Sequence, residues 1–320
     1  MSDRTMPSTG GCMCGAVRYE AMGEPLEVGH CHCHSCRRQT GAPVVTWVMF
    51  EADKVRFAGR TRSIHNSSPG VERAFCGQCG TPLTWEGRSR AWDRSIIEFY
   101  ISTFDDPDGF VPDQHWFHEE RIDWFDVADC LPRYRGVGMK DEEPYRHGPA
   151  NEGPQAVTKG RRMEPAMSDK TMPITGGCLC GSVRYETTGE SVGVIHCHCQ
   201  SCRKHNGAPV ATLAVFKVDQ VTFSGDERKI YESSPSVGRA FCAKCGTPLT
   251  WETVFGDLGP LCSFHISTFD DPDALLPTAH SFYSERISWF DIADNLPRHE
   301  GFVADSPLLH HGPAIEEPSG

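Results

Sequence analysis

Short apolar runs, most of them bounded by glycine or proline, follow one another along this chain and predict β-strands. Residues 16–20 alternate between apolar and polar side chains, residues 44–50 are mostly β-branched or aromatic, and residues 95–102 form another apolar run. Such alternation and composition are typical of strands. No long helical period is present, and we expect one short helix directly after Cys36 and one helical turn at residues 124–129. The pattern predicts an all-β fold.

The same succession of runs occurs twice, which indicates two tandem domains. Cys12 recurs as Cys178 and Cys79 recurs as Cys245, so that both are displaced by 166 residues. A period this long indicates duplicated domains, because solenoid units repeat every ~20–50 residues. We predict domains at residues 1–139 and 167–303, a flexible linker rich in proline, glycine and charge at 140–166, and a C-terminal tail at 304–320.

Seven cysteines in each unit stand in short groups of fixed spacing, C-x-C, then C-x-C-x-x-C, then C-x-x-C. Thiols grouped in this way are typical of metal sites. Residues 1–11 do not resemble a signal peptide, so the 16 cysteines predict metal binding in a reducing, cytoplasmic setting and not a disulfide framework. Cys130 and Cys262 stand outside the groups, and we interpret them as inert thiols.

The first and third groups predict a structural zinc site. Cys76 and Cys79, followed by a glycine, have the form of a zinc knuckle that supplies two ligands. Cys12 and Cys14, expected to face one side of a strand, can supply the other two. The alternative is that these four are reduced core cysteines. The corresponding set in the second unit is Cys178, Cys180, Cys242 and Cys245.

The middle group predicts a second zinc ion with three protein ligands. Cys31, Cys33 and Cys36 are spaced to bind one ion. His30 and His32 are expected to point to the opposite side of an extended segment. Three protein ligands with an exchangeable fourth are typical of catalytic zinc, and closure of the site by a distant residue is the alternative. Cys197, Cys199 and Cys202 repeat the group, which predicts two zinc ions per domain and four per chain.

A zinc ion with three sulfur ligands is suited to bind a further thiol as thiolate, because zinc lowers the pKa of a coordinating thiol. The expected substrate is therefore a thiol, and the three cysteines of each middle group are predicted to be catalytic. Arg37 and Arg203 directly follow the last of these cysteines and are predicted to orient an anionic thiol, with a solvated surface charge as the alternative. Other basic positions retained in both units are Arg18/Arg184, Arg38/Lys204 and Arg73/Arg239. His32 and Asp105 are candidates for the proton donor.

The charge of the chain argues against large anionic partners. Its formal net charge of −12 disfavours nucleic acid and anionic lipid surfaces. A membrane-spanning helix needs about 18 or more consecutive apolar residues, and the sequence has no such run. The expected partner is a small-molecule thiol.

Four motifs together resemble the glutathione-dependent formaldehyde-activating (GFA) family, also called the centromere-protein-V/GFA domain. They are G-x-C-x-C-G-x-V-R-Y-E at residues 10–20, H-C-H-C-x-x-C-R-R-x-x-G-A-P at 30–43, F-C-x-x-C-G-T-P-L at 75–83, and a tryptophan followed by D-x-L-P at 124–132. The second unit repeats all four, with Lys204 in place of Arg38. The resemblance implies two β-tent domains, each with two zinc ions held by the cysteine sets named above. It also implies condensation of formaldehyde with glutathione to S-(hydroxymethyl)glutathione.

These observations predict a zinc-dependent carbon–sulfur lyase-type enzyme. It would act on an adduct of glutathione or another thiol with formaldehyde or another small electrophile, through zinc-bound thiolate chemistry at the three-cysteine site. The alternative is a non-catalytic, zinc-stabilised module that binds or carries a thiol. Two tandem units also permit intramolecular pairing about a pseudo-twofold axis.

Overall fold

The computed structural model describes residues 6–59, 62–89, 93–138, 142–150 and 173–303. Strands dominate both halves, and these residues form two α-helices of 7 residues each, so the all-β prediction is confirmed. Among the described helices, none has the length and apolar character needed to cross a membrane.

The two halves have nearly the same order of elements. The first half contains β1 (Ser8–Gly11), β2 (Arg18–Ala21), β3 (Glu27–Cys31), α1 (His34–Thr40), β4 (Val45–Glu51), β5 (Val55–Ala58), β6 (Arg62–Ser68), β7 (Val71–Cys76), β8 (Pro82–Ser89), β9 (Arg94–Tyr100), β10 (His115–Trp116), β11 (Pro132–Arg133) and β12 (Arg146–His147). The second half contains β13 (Ile174–Gly177), β14 (Val183–Thr187), β15 (Gly193–Cys197), α2 (Gln200–Asn206), β16 (Ala211–Lys217), β17 (Val221–Gly225), β18 (Arg228–Ser234), β19 (Val237–Cys242), β20 (Pro248–Phe255), β21 (Gly259–His265) and β22 (Ala279–Ser281).

Each half combines a small sheet with a large one. In the first half the strand orders are β1-β2-β5 and β12-β11-β10-β3-β4-β9-β8-β7-β6, and in the second half they are β13-β14-β17 and β18-β19-β20-β21-β16-β15-β22. Strand β3 pairs antiparallel with β4 and parallel with β10, which places Cys31 between Val45 and Trp116. The first cysteine of the middle group therefore lies in the interior of the large sheet.

Local differences from the sequence prediction arise where contacts from outside a segment decide its conformation. The helical turn predicted at residues 124–129 is wrong, because Val127 forms an antiparallel bridge with Ile292 of the other half. Cys12 and Cys14 lie in the turn after β1 and not along a strand.

The predicted linker also differs from the structure at its N-terminal end. Residues 142–150 of this segment are described, and β12 within them pairs antiparallel with β11 of the first half. This pairing extends the sheet of the first half past the predicted boundary. Residues 140–141 and 151–166 of the predicted linker, and the whole predicted tail at 304–320, lie outside the described residues.

The two halves contact each other through equivalent segments. The backbone N–H of Ser102 donates to the carbonyl oxygen of Gly207 at 2.9 Å, and that of Ser267 donates to the carbonyl oxygen of Gly41 at 3.0 Å. In the same way, the backbone N–H of Ala128 donates to the carbonyl oxygen of Asp291, and that of Ala293 donates to the carbonyl oxygen of Asp126. Reciprocal contacts of this kind characterise an interface with twofold symmetry. Because Gly41 ends α1, which carries Cys36, each half also supports the cysteine-bearing helix of the other.

The core is shared between the halves. Phe99 and Phe125 of the first half belong to the same buried apolar cluster as Phe264 and Phe290 of the second. Burial of apolar surface is the dominant stabilising contribution in folding, so we expect the two halves to stabilise each other.

Gly80 lies where the halves approach closely, and its replacement by alanine is expected to destabilise the protein. A Cβ atom there would lie 2.3 Å from Cγ of Phe241 in the other half, on a backbone with φ of +78°. The positive φ costs about 1–2 kcal/mol, and overpacking typically adds about 1–3 kcal/mol. Gly70→Ala is the matched control, since its φ is +76° and nothing lies within 4 Å of the added Cβ. Denaturant unfolding should show the larger loss for Gly80→Ala, and equal losses would contradict the contact.

Candidate metal centres

Four sulfur atoms come together in each half. In the first half the Sγ atoms of Cys12, Cys14, Cys76 and Cys79 all lie within 4.8 Å of one another. The Cys12–Cys14 and Cys14–Cys76 sulfur distances are 3.5 and 3.7 Å. Zinc–sulfur bonds of about 2.3 Å in a tetrahedron place neighbouring sulfurs about 3.8 Å apart, so the donor set fits zinc. Cys178, Cys180, Cys242 and Cys245 form the same arrangement in the second half.

Two turns of the chain build this cluster. Cys76 ends β7, and Cys79 follows in a turn closed by Gly80 in the left-handed region, with φ of +78°. The Oγ1 atom of Thr81 lies 3.3 Å from the sulfur of Cys79 and accepts a hydrogen bond from the backbone N–H of Met13 at 3.1 Å. Thr81 therefore joins the knuckle to the turn that carries the other two cysteines.

Three further sulfur atoms gather where β3 leads into α1. Cys31 ends β3, Cys33 directly precedes α1, and Cys36 lies in its first turn. The Sγ atom of Cys33 accepts a hydrogen bond from the backbone N–H of Cys36 at 3.4 Å and so caps the helix. The three sulfurs lie within 4.8 Å of one another, as do those of Cys197, Cys199 and Cys202. The donor set fits three of the four ligands of a zinc ion.

Arg73 places positive charge beside this three-sulfur cluster. Its Nη2 donates to the sulfur of Cys36 at 3.6 Å, and its Nη1 donates to the hydroxyl of Tyr100 at 3.0 Å. In the second half, Arg239 lies 4.0 Å from the sulfur of Cys202. Hydrogen bonds from the other two cluster thiols, with the charge of Arg73 in addition, hold the pKa of Cys36 well below its usual range. The thiolate form of Cys36 is therefore favoured.

Arg37 and Arg203 each donate two hydrogen bonds to backbone carbonyl oxygens. Arg37 donates from Nε to the carbonyl oxygen of His32 and from Nη2 to that of Glu120, each at 2.7 Å. Arg203 makes the same two bonds to His198 and Glu285. These bonds fix the cysteine segment against a neighbouring loop. A role for either arginine in orienting an anionic thiol stays a prediction.

The wall of the three-sulfur cluster differs between the halves. In the first half the cluster packs against Trp47 and Trp116, whose rings lie 4.2 Å apart. In the second half it packs against aliphatic side chains, including Leu213 and Val303. The substitutions along this face are Trp47/Leu213, Trp116/Ser281, Glu98/Ser263 and Tyr100/His265. The first site thus has two tryptophans and a carboxyl group that the second site lacks.

The two candidate proton donors fit that role poorly. Hydrogen bonds from Arg18 outweigh burial and hold the pKa of Asp105 at about 2, so this carboxylate is ionised at neutral pH. His32 is buried, and its Nε2 is engaged with Nδ1 of His115 at 2.9 Å. Glu98, which the sequence did not single out, is half-buried on β9, and burial with the nearby Cys36 charge raises its pKa to about 8.

Sequence reasoning also missed a histidine–aspartate network at β3. His115 lies 3.0 Å through Nε2 from Oδ2 of Asp129, and Arg133 donates from Nη1 to Oδ1 of the same carboxylate at 3.0 Å. His115 is separated from β3 by more than 80 residues of sequence, which hides the pairing. The available signal was the recurrence of the same residue types as His280, Asp294 and Arg298.

The fold and the sulfur clusters define a tandem β-domain protein with cysteine sets of the metal-binding type. The family model described as glutathione-dependent formaldehyde-activating enzyme matches residues 7–120 and 173–285, so the chain belongs to this family. Each matched region contains one full set of seven cysteines. An uncharacterised lyase of Schizosaccharomyces pombe is 31% identical over 74 residues, which are 23% of this chain and 53% of that protein. The chain thus spans about half the length of this curated relative.

Proposed function

We propose that the protein is a zinc-dependent carbon–sulfur lyase-type enzyme that forms or cleaves a thiol adduct of formaldehyde or another small electrophile, with glutathione as the expected thiol. The proposal rests mainly on the three-sulfur cluster, in which Cys33 and Cys36 are half-buried and Arg73 adds positive charge. Membership of the family supports lyase-type chemistry, and so does the name of the yeast relative.

Zinc in all four sulfur clusters and a reducing, cytoplasmic setting belong to the same proposal. No disulfide joins any of the 16 cysteines, all of which lie within the described residues. Thiols that must bind metal as thiolates have to remain reduced, which the cytoplasm provides. Cys130 is exposed and Cys262 is buried, and neither belongs to a sulfur cluster.

The reaction balances without an oxidant or a reductant. For adduct formation, the sulfur of the thiolate attacks the carbonyl carbon, a C–S bond forms, and the C=O π bond breaks. The proton lost by the thiol ends on the former carbonyl oxygen, and cleavage is the reverse. Zinc held by the three cysteines would supply the positive charge that lowers the pKa of the substrate thiol.

The residues around the cluster support this chemistry in distinct ways. Arg73 offsets the negative charge of the clustered thiolates from 3.6 Å away. Trp47 and Trp116 pack against the cluster and exclude water from one side of it. Arg37 and Arg203 fix the cysteine segments through the backbone, and their remaining nitrogens are the groups proposed to orient an anionic thiol.

The test is whether the purified full-length protein accelerates the reaction of glutathione with formaldehyde above the spontaneous rate, with saturation by both reactants. Cys33→Ala combined with Cys199→Ala is expected to lower kcat/KM by about 100-fold or more, which corresponds to about 2.7 kcal/mol of transition-state stabilisation. Each single variant measures the activity of the half that is left intact. Because the residues lining the three-sulfur cluster differ between the halves, we expect the two halves to contribute unequally to turnover. Cys130→Ser, at an exposed thiol outside the clusters, should retain full turnover.

Two outcomes would count against the enzyme. Saturable thiol binding by the wild type without acceleration would identify a carrier. Full turnover by the folded double variant would show that the three-sulfur clusters are not needed for the reaction.

A further inference from the structure

Beyond the sulfur clusters, two imidazoles and a carboxylate converge at β3. His30 on β3 and His115 on β10 stand directly opposite each other in parallel register. Asp129, which precedes β11, joins them, and the donor atoms of the three residues all lie within 4.8 Å of one another. The Oδ2 atom of Asp129 is 3.0 Å from Nε2 of His115 and 4.0 Å from Nε2 of His30.

One of these nitrogens is not satisfied by hydrogen bonding. The side chain of His30 is fully buried, and its Nε2 has no hydrogen-bond partner in the described structure. Burying a polar atom without a hydrogen-bond partner is unfavourable, because the atom loses its contact with water. A cation between His30 and Asp129 would satisfy this nitrogen.

The other ring nitrogens are held as metal-binding histidines require. Nδ1 of His30 lies 2.8 Å from the hydroxyl of Thr46, and Nδ1 of His115 lies 2.9 Å from Nε2 of His32. These contacts orient both rings so that Nε2 is the atom turned toward the carboxylate. Outer hydrogen bonds of this kind fix the orientation and tautomer of metal-ligating histidines.

Hydrogen bonds also orient the carboxylate of Asp129. Oδ1 of Asp129 accepts hydrogen bonds from the backbone N–H of Leu131 at 3.1 Å and from Nη1 of Arg133 at 3.0 Å, which leaves Oδ2 toward the two rings. Arg133 also binds Asp126, at 3.2 Å.

The second half repeats this arrangement. His196 is buried, and its Nε2 is again unpartnered at 3.8 Å from Oδ2 of Asp294. Nε2 of His280 lies 3.0 Å from Oδ1 of the same carboxylate, and Nδ1 of His196 lies 2.8 Å from the hydroxyl of Thr212. The unsatisfied nitrogen is therefore a property of both halves.

Aromatic side chains from the opposite half lie next to each cluster. The ring of His30 lies 6.0 Å from that of Trp289, and the ring of His196 lies 5.9 Å from that of Trp124. The histidines of both clusters are thus enclosed by protein, which suits an ion with a structural role.

We propose that each half holds a third cation, a divalent first-row transition-metal ion, at His30, His115 and Asp129 in the first half and at His196, His280 and Asp294 in the second. Two imidazoles with one carboxylate form a ligand set that these ions accept. The ion fastens β3, which carries Cys31, to β10 and to the segment before β11. The site does not depend on the proposed lyase activity.

Metal content tests the site directly. The full-length protein is saturated with Zn²⁺, freed of unbound ion and analysed for metal per chain. The four sulfur clusters account for four ions, and a third cation in each half raises the expected content to six. His115→Gln combined with His280→Gln is expected to reduce the content from six to four, because glutamine keeps a polar side chain but lacks the imidazole ligand.

His118→Tyr is the matched control. It alters a buried ring 5.8 Å from that of His115 and copies Tyr283 of the second half, so it should retain six ions. Anomalous scattering from wild-type crystals grown with Zn²⁺ tests the site without any variant. We expect an anomalous peak between His30 and Asp129. A wild-type content of four with the sulfur clusters loaded, or no such peak, overturns the proposal.

Discussion

Cys79→Ser is expected to remove one metal ion from the first half and to lower the thermal midpoint by more than about 10 °C. Cys79 is fully buried, and its sulfur belongs to a cluster of four. Structural zinc sites contribute apparent binding free energies of roughly 10–16 kcal/mol, so the loss of one ligand removes several kcal/mol. Each kcal/mol lowers the midpoint by about 2–4 °C in a domain of 150–250 residues. Metal analysis and calorimetry measure both effects.

Two further cysteine variants test this prediction by comparison. Cys130→Ser changes an exposed cysteine outside the clusters and should leave stability within about 0.5 kcal/mol of the wild type. Cys245→Ser, at the equivalent buried position of the second half, should reproduce the large effect. Because both halves contribute to one apolar cluster, we expect either variant to lower the stability of the whole chain. An unchanged midpoint and metal content in Cys79→Ser would rule out the structural metal.

The cysteine sets could be grouped from the sequence because short spacing restricts geometry. Cys76 and Cys79 are joined by one turn, and Cys31, Cys33 and Cys36 by a strand end and one helical turn, so local backbone conformation brings each set together. The all-β class followed from the same kind of local evidence, since alternation of apolar residues is a property of single strands. The conformation at Cys12 was predicted less well, because a turn brings two sulfurs together as readily as a strand does.

The remaining features depend on contacts that local patterns do not encode. The register of the large sheet brings Arg73 to Cys36, whereas sequence proximity had favoured Arg37. The bridge between Val127 and Ile292 joins residues that are 165 positions apart and overrides a weak helical pattern. Contacts of this length are fixed by the packing of the two halves and not by local preference.

Asp126→Asn is expected to destabilise the protein by about 3–5 kcal/mol, because it breaks a buried ion pair and leaves a charge without its partner. Asp126 and Arg133 are both fully buried, with Nη2 of Arg133 at 3.2 Å. Nε2 of His118 lies 3.0 Å from the same carboxylate, and the backbone N–H of Ala150 donates to it at 2.6 Å. An amide group presents N–H donors where this site requires acceptors. Denaturant unfolding of the full-length chain measures the loss.

The equivalent pair in the second half supplies the control. Asp291 and Arg298 are also 3.2 Å apart, but their side chains are 39% and 24% exposed, so Asp291→Asn should cost only about 1 kcal/mol. Although burial alone would raise the pKa of Asp126, hydrogen bonding from His118 and the charge of Arg133 hold it below its usual range. The stabilisation is therefore present above the unfolded pKa of about 3.9 and is lost as the pH falls toward the folded pKa. The difference in free energy of unfolding between the wild type and Asp126→Asn should stay constant from neutral pH to about pH 5 and become smaller below about pH 4. Equal losses of stability in Asp126→Asn and Asp291→Asn would contradict this account, and so would a difference that grows in acid.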